Sequence, residues 1–230
     1  MTRPALMALL LVACSEEMEP RCEGECGTPG CGLCPEVEMI DAGDFRIDAF
    51  ETTRAEYEEF AKSRPRGAGE PGCFADDPNW AWPLAEPEVV RPDLPVTFVI
   101  WCQAFAYCRW ASKRLCGRVG GGAVDEDRWN LDGEWYLACS AGGTMTFPYG
   151  DVLDLTACNV GDDVVRPGTF SRCEGGFPGL FDMVGNVNEW IDARHSSEEA
   201  YSVGTEGCSS GGFGYVNSTG PLDGIRCCAD

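Results

Sequence analysis

Fifteen cysteines and a single histidine, His195, dominate the chemistry that this sequence of 230 residues can offer. Thiolates bind metals and act as nucleophiles, whereas oxidised cysteines form structural bridges. Cys22, Cys26, Cys31 and Cys34 follow one another at spacings that suit a zinc site, a small disulfide cluster, or a redox pair at the last two positions. We favour the disulfide cluster because the start of the chain indicates export. No βαβ pattern surrounds the CxxC pair, so the redox interpretation ranks third.

The first cysteine, Cys14, directly follows an apolar run over residues 5–13. The run is far shorter than the roughly 20 residues that span a bilayer, and it is typical of a secretory signal. Residues 11–14 (LVAC) resemble the lipobox of bacterial lipoproteins, whose cysteine is acylated and becomes the new N-terminus. An ordinary signal peptide cleaved nearby is the alternative. We predict a signal peptide over residues 1–13 and lipid attachment at Cys14.

Export determines how the remaining cysteines are interpreted. Ser15, after the lipid-bearing cysteine, is similar to the outer-membrane sorting pattern, so we expect a lipid-anchored protein of the bacterial cell envelope, at the outer membrane. Removing Cys14 leaves fourteen cysteines in a compartment that permits disulfides. Seven bridges with no free thiol are therefore possible, but their pairing cannot be derived from the sequence.

The charge of the chain excludes one class of partner. The formal net charge is −21, and Lys62 and Lys113 are the only lysines. Direct binding to nucleic acid requires clustered Lys and Arg, so we expect no nucleic-acid partner. An acidic surface suits solubility first and cation binding second.

Local patterns predict the elements that must position these residues. Residues 14–36 are rich in Glu, Gly and Pro and lack an apolar period, which predicts a tether unable to bury a core. A folded domain then occupies residues 37–230. Thr53 and Glu56 form a capping box that opens a helix ending near Lys62. The other predicted elements are strands over 37–40, 45–50 and 94–100, a helix over 101–113 and a short helix over 133–139.

Six segments resemble, in the same order, motifs of the formylglycine-generating enzyme family, whose domain is also called the sulfatase-modifying-factor domain. They are residues 47–57 (IDAFETTRAEY), 94–115 (ending in AYCRWASKRL), 132–139 (DGEWYLAC), 147–150 (FPYG), 179–190 (GLFDMVGNVNEW) and 224–227 (GIRC). The resemblance implies an α+β, C-type-lectin-like fold, rich in loops and poor in regular secondary structure. Because of the high cysteine content, we expect the domain to be cross-linked by disulfides.

The same resemblance implies a calcium site in the segment GLFDMVGNVNEW. The family's ligands correspond to the side chains of Asp182 and Glu189 and the backbone carbonyls of Gly185 and Val187. Calcium prefers such oxygen ligands, and a glycine lets the loop fold back on itself. The alternative is that Asn186 and Glu189 only satisfy backbone groups in the turn.

A second calcium site of the family corresponds to Asn159 and the carbonyl of Val160. Asp162 or Asp163 could complete the site. The loop here is much shorter than in the enzymes, so the second site is the less favoured of the two.

The resemblance does not extend to the catalytic residues. The family's oxidases hold copper between two thiolates a few residues apart, after an RGGSW segment whose Arg and Ser are missing here. Cys208, Cys227 and Cys228 remain as candidate metal ligands or reactive thiols, but the last two are adjacent and poorly shaped to hold one copper ion. The iron-dependent branch needs several histidines, and His195 stands alone. Asn188 replaces the Trp of the usual GNVWEW motif.

The preferred hypothesis is a domain with this fold but without its chemistry, which binds an envelope protein or a carbohydrate. Calcium is the expected cofactor, and copper is not expected. Candidate ligand contacts are the aromatic residues Trp80, Trp82, Phe213 and Tyr215, with core packing as the alternative role for each. The second hypothesis is a divergent metal-thiolate oxidase that modifies a cysteine in a substrate protein, and the third is a purely structural envelope protein.

Overall fold

The computed structural model describes residues 22–63, 65, 70, 73, 80–81, 91–125, 127–161, 163–194, 196, 198–204 and 206–230. The predicted signal peptide and Cys14 lie outside the described residues, as do Trp82, Asp162 and His195. Among the described residues, no helix is long and apolar enough to cross a bilayer.

In the described residues, two four-stranded sheets and four helices make up the regular structure. In chain order the elements are β1 (Met39–Asp41), β2 (Arg46–Asp48), α1 (Arg54–Lys62), α2 (Trp101–Trp110), β3 (Arg114–Leu115), α3 (Trp129–Asp132), α4 (Glu134–Cys139), β4 (Asn188–Arg194), β5 (Glu199–Val203), β6 (Gly211–Tyr215), β7 (Asp223–Gly224) and β8 (Cys227–Ala229). The strand orders are β1-β2-β8-β3 and β6-β5-β4-β7. All pairs are antiparallel except β4 with β7. This confirms the predicted α+β class with short elements joined by long loops.

The first helix is set by its own sequence. The hydroxyl of Thr53 accepts from the backbone N–H of Glu56, and the carboxylate of Glu56 accepts from the backbone N–H of Thr53 at 2.7 Å. This reciprocal pair satisfies two of the N–H groups that a helix start leaves unpaired. The helix ends at Lys62 as predicted, and Tyr57 and Phe60 are buried on its inner face.

Three predicted elements are shorter than expected, and one of them, the strand predicted over 45–50, spans only Arg46–Asp48. The helix predicted over 101–113 ends at Trp110, because Ser112 adopts a left-handed conformation and the N–H of Lys113 turns back to the carbonyl of Cys108. The strand predicted over 94–100 pairs only through one bridge, between Pro95 and Thr53. Phe98 has a φ of 57°, which is incompatible with a continuous strand.

The buried side chains form two core clusters. One surrounds α1 and α2 and contains Trp101, Tyr107 and Trp110. The other lies around α4 and contains Trp135 and Met183. Hydrogen bonds from indole N–H groups to backbone carbonyls across the molecule then fix the large rings in place.

All fourteen cysteines of the described residues form disulfides, as the even count allowed. The pairs are Cys22–Cys31, Cys26–Cys34, Cys73–Cys102, Cys108–Cys227, Cys116–Cys228, Cys139–Cys208 and Cys158–Cys173. Adjacent residues of a strand point to opposite faces. Cys227 therefore bridges into the cluster of α2, and its neighbour Cys228 bridges into the cluster of α4. The vicinal pair on β8 joins the two cores.

The described part of the segment 14–36, for which the sequence predicts a tether, contacts α2. Cys22, Cys26 and Cys31 are buried, and the N–H of Cys26 donates to the carbonyl of Trp110 at 2.8 Å. The indole of Trp110 donates in turn to the carbonyl of Cys31 at 2.8 Å. Two bridges within thirteen residues restrict the unfolded chain, so residues 22–34 fold against α2 without an apolar period of their own. The zinc and redox alternatives for these cysteines are not supported, because their thiols are paired in structural bridges.

Candidate functional site

The segment 182–189 forms a tight turn that leads into β4. Asp182, Gly185 and Asn186 all have positive φ angles, so the chain reverses within a few residues. A Cβ atom on Gly185 would lie 2.2 Å from the carbonyl oxygen of Asn159, and only glycine fits there. The prediction that Gly185 allows this loop to fold back is confirmed.

Asn186 ties the turn to its surroundings. Its carboxamide oxygen accepts from the N–H of Val165 at 2.9 Å and from the side chain of Asn159 at 3.0 Å. Its carboxamide nitrogen donates to Glu51 at 2.6 Å. These hydrogen bonds join the turn to residues 51, 159 and 165, which lie outside it.

The two carboxylates predicted as calcium ligands are both buried. Asp182 accepts from the N–H of Gly168 at 2.6 Å through Oδ2. Glu189 accepts from the indole N–H of Trp135 and, with both oxygens, from the Nε of Arg226 at 2.8 and 3.0 Å. Burial raises the pKa of each carboxyl group, and the guanidinium of Arg226 acts in the opposite direction.

Arg226 is a member of this site that the sequence analysis missed. Its side chain is fully buried and donates to the carbonyls of Asp48 and Phe181 at 2.8 and 2.9 Å as well as to Glu189. It lies in the GIRC segment, which the sequence analysis used only to support the family resemblance. A buried arginine needs such a set of acceptors, because an unpaired charge away from water is costly.

Glu51 is the second missed member. It is buried, and its carboxylate accepts from the side chain of Asn186 at 2.6 Å and from the N–H of Val187 at 3.1 Å. Burial raises the pKa of Glu51 well above its usual value, and the carboxylates of Asp182 and Glu189 raise it further. The signal in the sequence was a Glu placed just before the capping box of α1.

These groups define a carboxylate cluster: Glu51, Asp182 and Glu189, with Arg226 as its guanidinium. Three carboxyl groups face one positive charge.

The carbonyls of Gly185 and Val187, the other two predicted ligands, accept no hydrogen bond from the part of the chain that the structure describes. Within that part, side chains of Asp, Glu, Cys and His form no group of three or more arranged to hold a metal. A calcium ion here would depend on two carboxylates and two carbonyls, which are the oxygen ligands that calcium prefers. It would share Glu189 with Arg226, whose Nε already contacts both carboxylate oxygens.

The residues of the second predicted calcium site lie beside the turn of the first. The side chain of Asn159 donates to the carbonyl of Asp163 at 2.8 Å and to Asn186, and its own carbonyl accepts from the N–H of Asn186 at 2.7 Å. Val160 is exposed. Asn159 thus serves to brace the turn of the first site.

A cleft of about 510 Å³ lies along the second sheet, and we call it the β6 cleft. It is lined by Asn188, Trp190, Glu199, Ser202, Gly211, Gly212, Phe213, Gly214, Tyr215, Ser218, Thr219, Gly220 and Asp223. Two of the four aromatic residues predicted as ligand contacts, Phe213 and Tyr215, line it and are 59% and 61% exposed. Trp80 instead packs edge-on against Phe60 and donates to the carbonyl of Pro65, which is the alternative of core packing.

Comparison with known proteins tests whether this architecture belongs to a known family. The model of the sulfatase-modifying factor enzyme 1-like domain matches residues 34–220. The chain belongs to this family. The match confirms the resemblance and includes five of the six segments, since residues 224–227 lie beyond it. Glu51, Asp182 and Glu189 lie within the matched residues, and Arg226 lies outside them.

The family's characterised members include enzymes. The chain is 28% identical over 225 residues to a formylglycine-generating enzyme of Bos taurus, covering 75% of this chain and 54% of that protein. It is 27% identical over 183 residues to a hercynine oxygenase of Mycolicibacterium thermoresistibile, covering 68% and 37%. The chain thus spans about half or less of the length of these relatives. The structure of PvdO from Pseudomonas aeruginosa matches at a TM-score of 0.54 and 18% identity, covering 81% of this chain and 80% of that one, which shows a shared fold.

The candidate thiolates of this family member are all bridged. Cys208 pairs with Cys139, and the vicinal cysteines 227 and 228 pair with residues of α2 and of the loop after β3. The three candidates are fully buried. The structure therefore gives none of Cys208, Cys227 and Cys228 the free thiol that metal binding or nucleophilic attack requires.

Proposed function

We propose that this protein is an exported lipoprotein whose family domain binds a ligand at the cell envelope and does not catalyse cysteine oxidation. The observation that carries the proposal is the state of the candidate thiols. Each candidate is fully buried in a disulfide. A metal held by thiolates would require the reduction of at least one of these bridges. That reduction would remove a covalent link between elements of the core.

The β6 cleft supports binding as the alternative use of the fold. It lies where Asn188 replaces the Trp of the family motif, and its rim carries two exposed aromatic rings, Phe213 and Tyr215. Exposed aromatic residues beside a polar cleft are typical of recognition sites, since their flat faces contribute contact area at low entropic cost. Loops on a rigid, cross-linked frame are well suited to this role.

The carboxylate cluster supports calcium as a structural ion. Asp182 and Glu189 would hold it with the carbonyls of Gly185 and Val187. The ion would offset the excess of buried negative charge and fix the turn that precedes β4. Because β4 forms part of the β6 cleft, calcium would hold the binding surface in shape without contacting the ligand.

Attachment to the membrane is the remaining part of the proposal. The apolar run over residues 5–13 followed by Cys14 resembles a lipobox. The compact disulfide segment 22–34 follows within a few residues, so an acylated Cys14 would hold the domain close to the bilayer surface. The expected location is the bacterial outer membrane.

The second candidate function is a divergent metal-thiolate oxidase that acts on a cysteine of a substrate protein. It is favoured by the similarity to the bovine formylglycine-generating enzyme. It requires two reduced cysteines that together reach one copper ion.

A copper titration distinguishes the two candidates. The oxidised full chain is titrated with copper(I) and then incubated in air with a peptide that contains one cysteine. We expect no stoichiometric copper binding and no oxidation of the peptide in its mass spectrum. One equivalent of bound copper together with an oxidised peptide would replace the binding proposal with the oxidase.

A further inference from the structure

One face of the second sheet forms the floor of the β6 cleft. Side chains that pair directly across neighbouring strands lie on the same face, and so do side chains two positions apart along a strand. Trp190 pairs with Ser202, which in turn pairs with Gly212. Asn188, two positions before Trp190, pairs with Asp223. These five residues therefore share one face, and all of them line the cleft.

Small residues keep this floor open. Asn188 stands where the family motif has Trp, so the bulk of an indole ring is missing at this point of the floor. A Cβ atom on Gly212 would meet nothing within 4 Å, so the floor is also open there. The cleft volume of about 510 Å³ lies in the range of small-molecule sites.

Asp223 places a rigid carboxylate at one end of the floor. The residue is buried, with 8% of its surface exposed. Its Oδ2 accepts from the N–H of Gly220 at 2.5 Å, and a Cβ atom on Gly220 would lie 3.3 Å from the same oxygen. The backbone carbonyl of Asp223 accepts from the N–H of Val99 at 3.4 Å. Side chain and backbone are thus both held by the fold.

The charge of Asp223 has no cationic partner in the part of the chain that the structure describes. Its other two donors, the side chains of Asn188 and Thr219, are neutral and lie at 3.5 Å. The lining of the cleft contains no Lys or Arg, and it includes a second carboxylate, Glu199. A buried charge without a countercharge is costly. The cleft therefore favours a ligand that brings a positive charge.

The groups around Asp223 suit one kind of cation, a protonated primary amine. Such an ammonium group carries three N–H donors. The carboxylate of Asp223, the carboxamide oxygen of Asn188 and the hydroxyl oxygen of Thr219 supply acceptors close together. A quaternary ammonium ion has the same charge but no donor for these acceptors. A metal ion is less suited, because the described Asp, Glu, Cys and His side chains form no group of three or more.

We propose that the β6 cleft binds a small molecule through a protonated primary amine, which docks on Asp223 beside Asn188. The ammonium group donates to the carboxylate, and the rest of the ligand lies along the floor over Ser202 and Gly212. Hydrogen bonds between two charged groups are shorter and stronger than those between neutral groups. The proposal rests on the proposed binding function and specifies the chemical class of the ligand.

The first test compares matched small molecules by NMR titration of the oxidised full chain. Each primary amine is paired with the alcohol that replaces its ammonium group and with its trimethylammonium analogue. The set contains amino sugars, amino alcohols and linear polyamines, so the preferred members identify the source of the amine. We expect the tightest amine to bind at least about tenfold more tightly than its alcohol and its trimethylammonium analogue.

The second test uses variants of the cleft. Asp223→Asn keeps an acceptor for the N–H of Gly220 and removes the charge, so it should weaken amine binding about tenfold or more. Asn188→Trp restores the residue of the family motif and fills the floor, so it should abolish binding. Asp44→Asn changes an exposed carboxylate outside the cleft, so this matched control should leave the affinity unchanged.

Three outcomes would overturn the proposal. Equal affinity of an amine and its alcohol would exclude recognition of the charge, and equal affinity of the trimethylammonium analogue would exclude recognition of the N–H donors. Full amine affinity in Asp223→Asn or Asn188→Trp would place the amine elsewhere. If no amine binds, the amine inference falls. In that case a neutral glycan that binds the wild type but not Asn188→Trp would leave the binding function standing.

Discussion

Glu51 shows how one buried carboxyl group can set the stability of a site. Its carboxylate accepts from Asn186 and from the N–H of Val187, and it shares a small volume with Asp182 and Glu189. Because its pKa is raised in the folded protein, the folded state binds its proton more tightly than the unfolded state does. Its stabilising effect is complete below the pKa of the unfolded chain and is lost as the pH rises above that value.

Glu51→Gln removes this titration and keeps an acceptor for one of the two hydrogen bonds, while its NH2 group replaces the other acceptor oxygen. In EDTA, we expect the wild-type protein to lose stability between pH 5 and pH 7 relative to the variant, by roughly 1 kcal/mol. Urea unfolding at the two pH values with the disulfides intact measures the difference. Glu36→Gln, at an exposed position, is the control. Parallel pH profiles for wild type and Glu51→Gln would refute this role.

Arg226 supplies the single positive charge of the carboxylate cluster. Arg226→Ala should lower the free energy of unfolding by about 3–5 kcal/mol, because Glu189 would then be buried without its ion-pair partner. Arg172→Ala, which removes an exposed ion pair to Asp154, should cost less than about 1 kcal/mol. Denaturant unfolding of both variants tests the prediction. A loss at Arg226 as small as that at Arg172 would mean that the cluster does not depend on the guanidinium.

At the scale of elements, the turn 182–189 is the part of the fold that a metal ion would stabilise. An ion that binds only the folded state raises its stability in proportion to the logarithm of its concentration. Millimolar calcium should therefore raise the melting temperature of the wild-type protein above its value in EDTA. Asp182→Ala should abolish this increase, and Asp44→Ala, at an exposed position, should retain it. Identical melting curves of the wild type with and without calcium would remove calcium from the account.

Local elements were predicted well, and long-range pairings were not. The capping box at Thr53 defines α1, and the turn at Gly185 follows from its glycine, because both depend on residues adjacent in sequence. The ion pair between Glu189 and Arg226 joins residues that are 37 positions apart in the sequence. No periodic pattern of the sequence indicates this pairing. Helix α2 was predicted too long because the left-handed Ser112 leaves no signal in the sequence.

The N-terminal segment illustrates the same limit. Composition correctly indicates that residues 22–34 cannot bury a core of their own. It does not indicate that two short-range disulfides fold this segment onto α2. A disulfide acts mainly on the unfolded chain, so its effect does not appear in an apolar pattern.

At the scale of the whole molecule, cross-links replace extended secondary structure. The strands are two to seven residues long. Of the seven disulfides among the described residues, two link strand β8 to α2 and to the loop after β3, and the other five join loops and helices. The adjacent residues Cys227 and Cys228 of strand β8 each form a disulfide within a different core cluster, and they thereby link the two clusters. The same pairing that gives the fold its rigidity removes the thiols that oxidase chemistry would use. The six family motifs predicted the fold, but the pairing could not be obtained from fourteen cysteines in one sequence.

The central claim, a binding domain without thiolate chemistry, is tested most directly by counting free thiols. The full chain, with Cys14 replaced by Ser, is produced in an oxidising compartment, alkylated under denaturing, non-reducing conditions and weighed intact. We predict that no alkyl group is added, because all fourteen remaining cysteines are bridged. Two added groups that map to Cys208, Cys227 or Cys228 would contradict the account and restore the metal-thiolate oxidase.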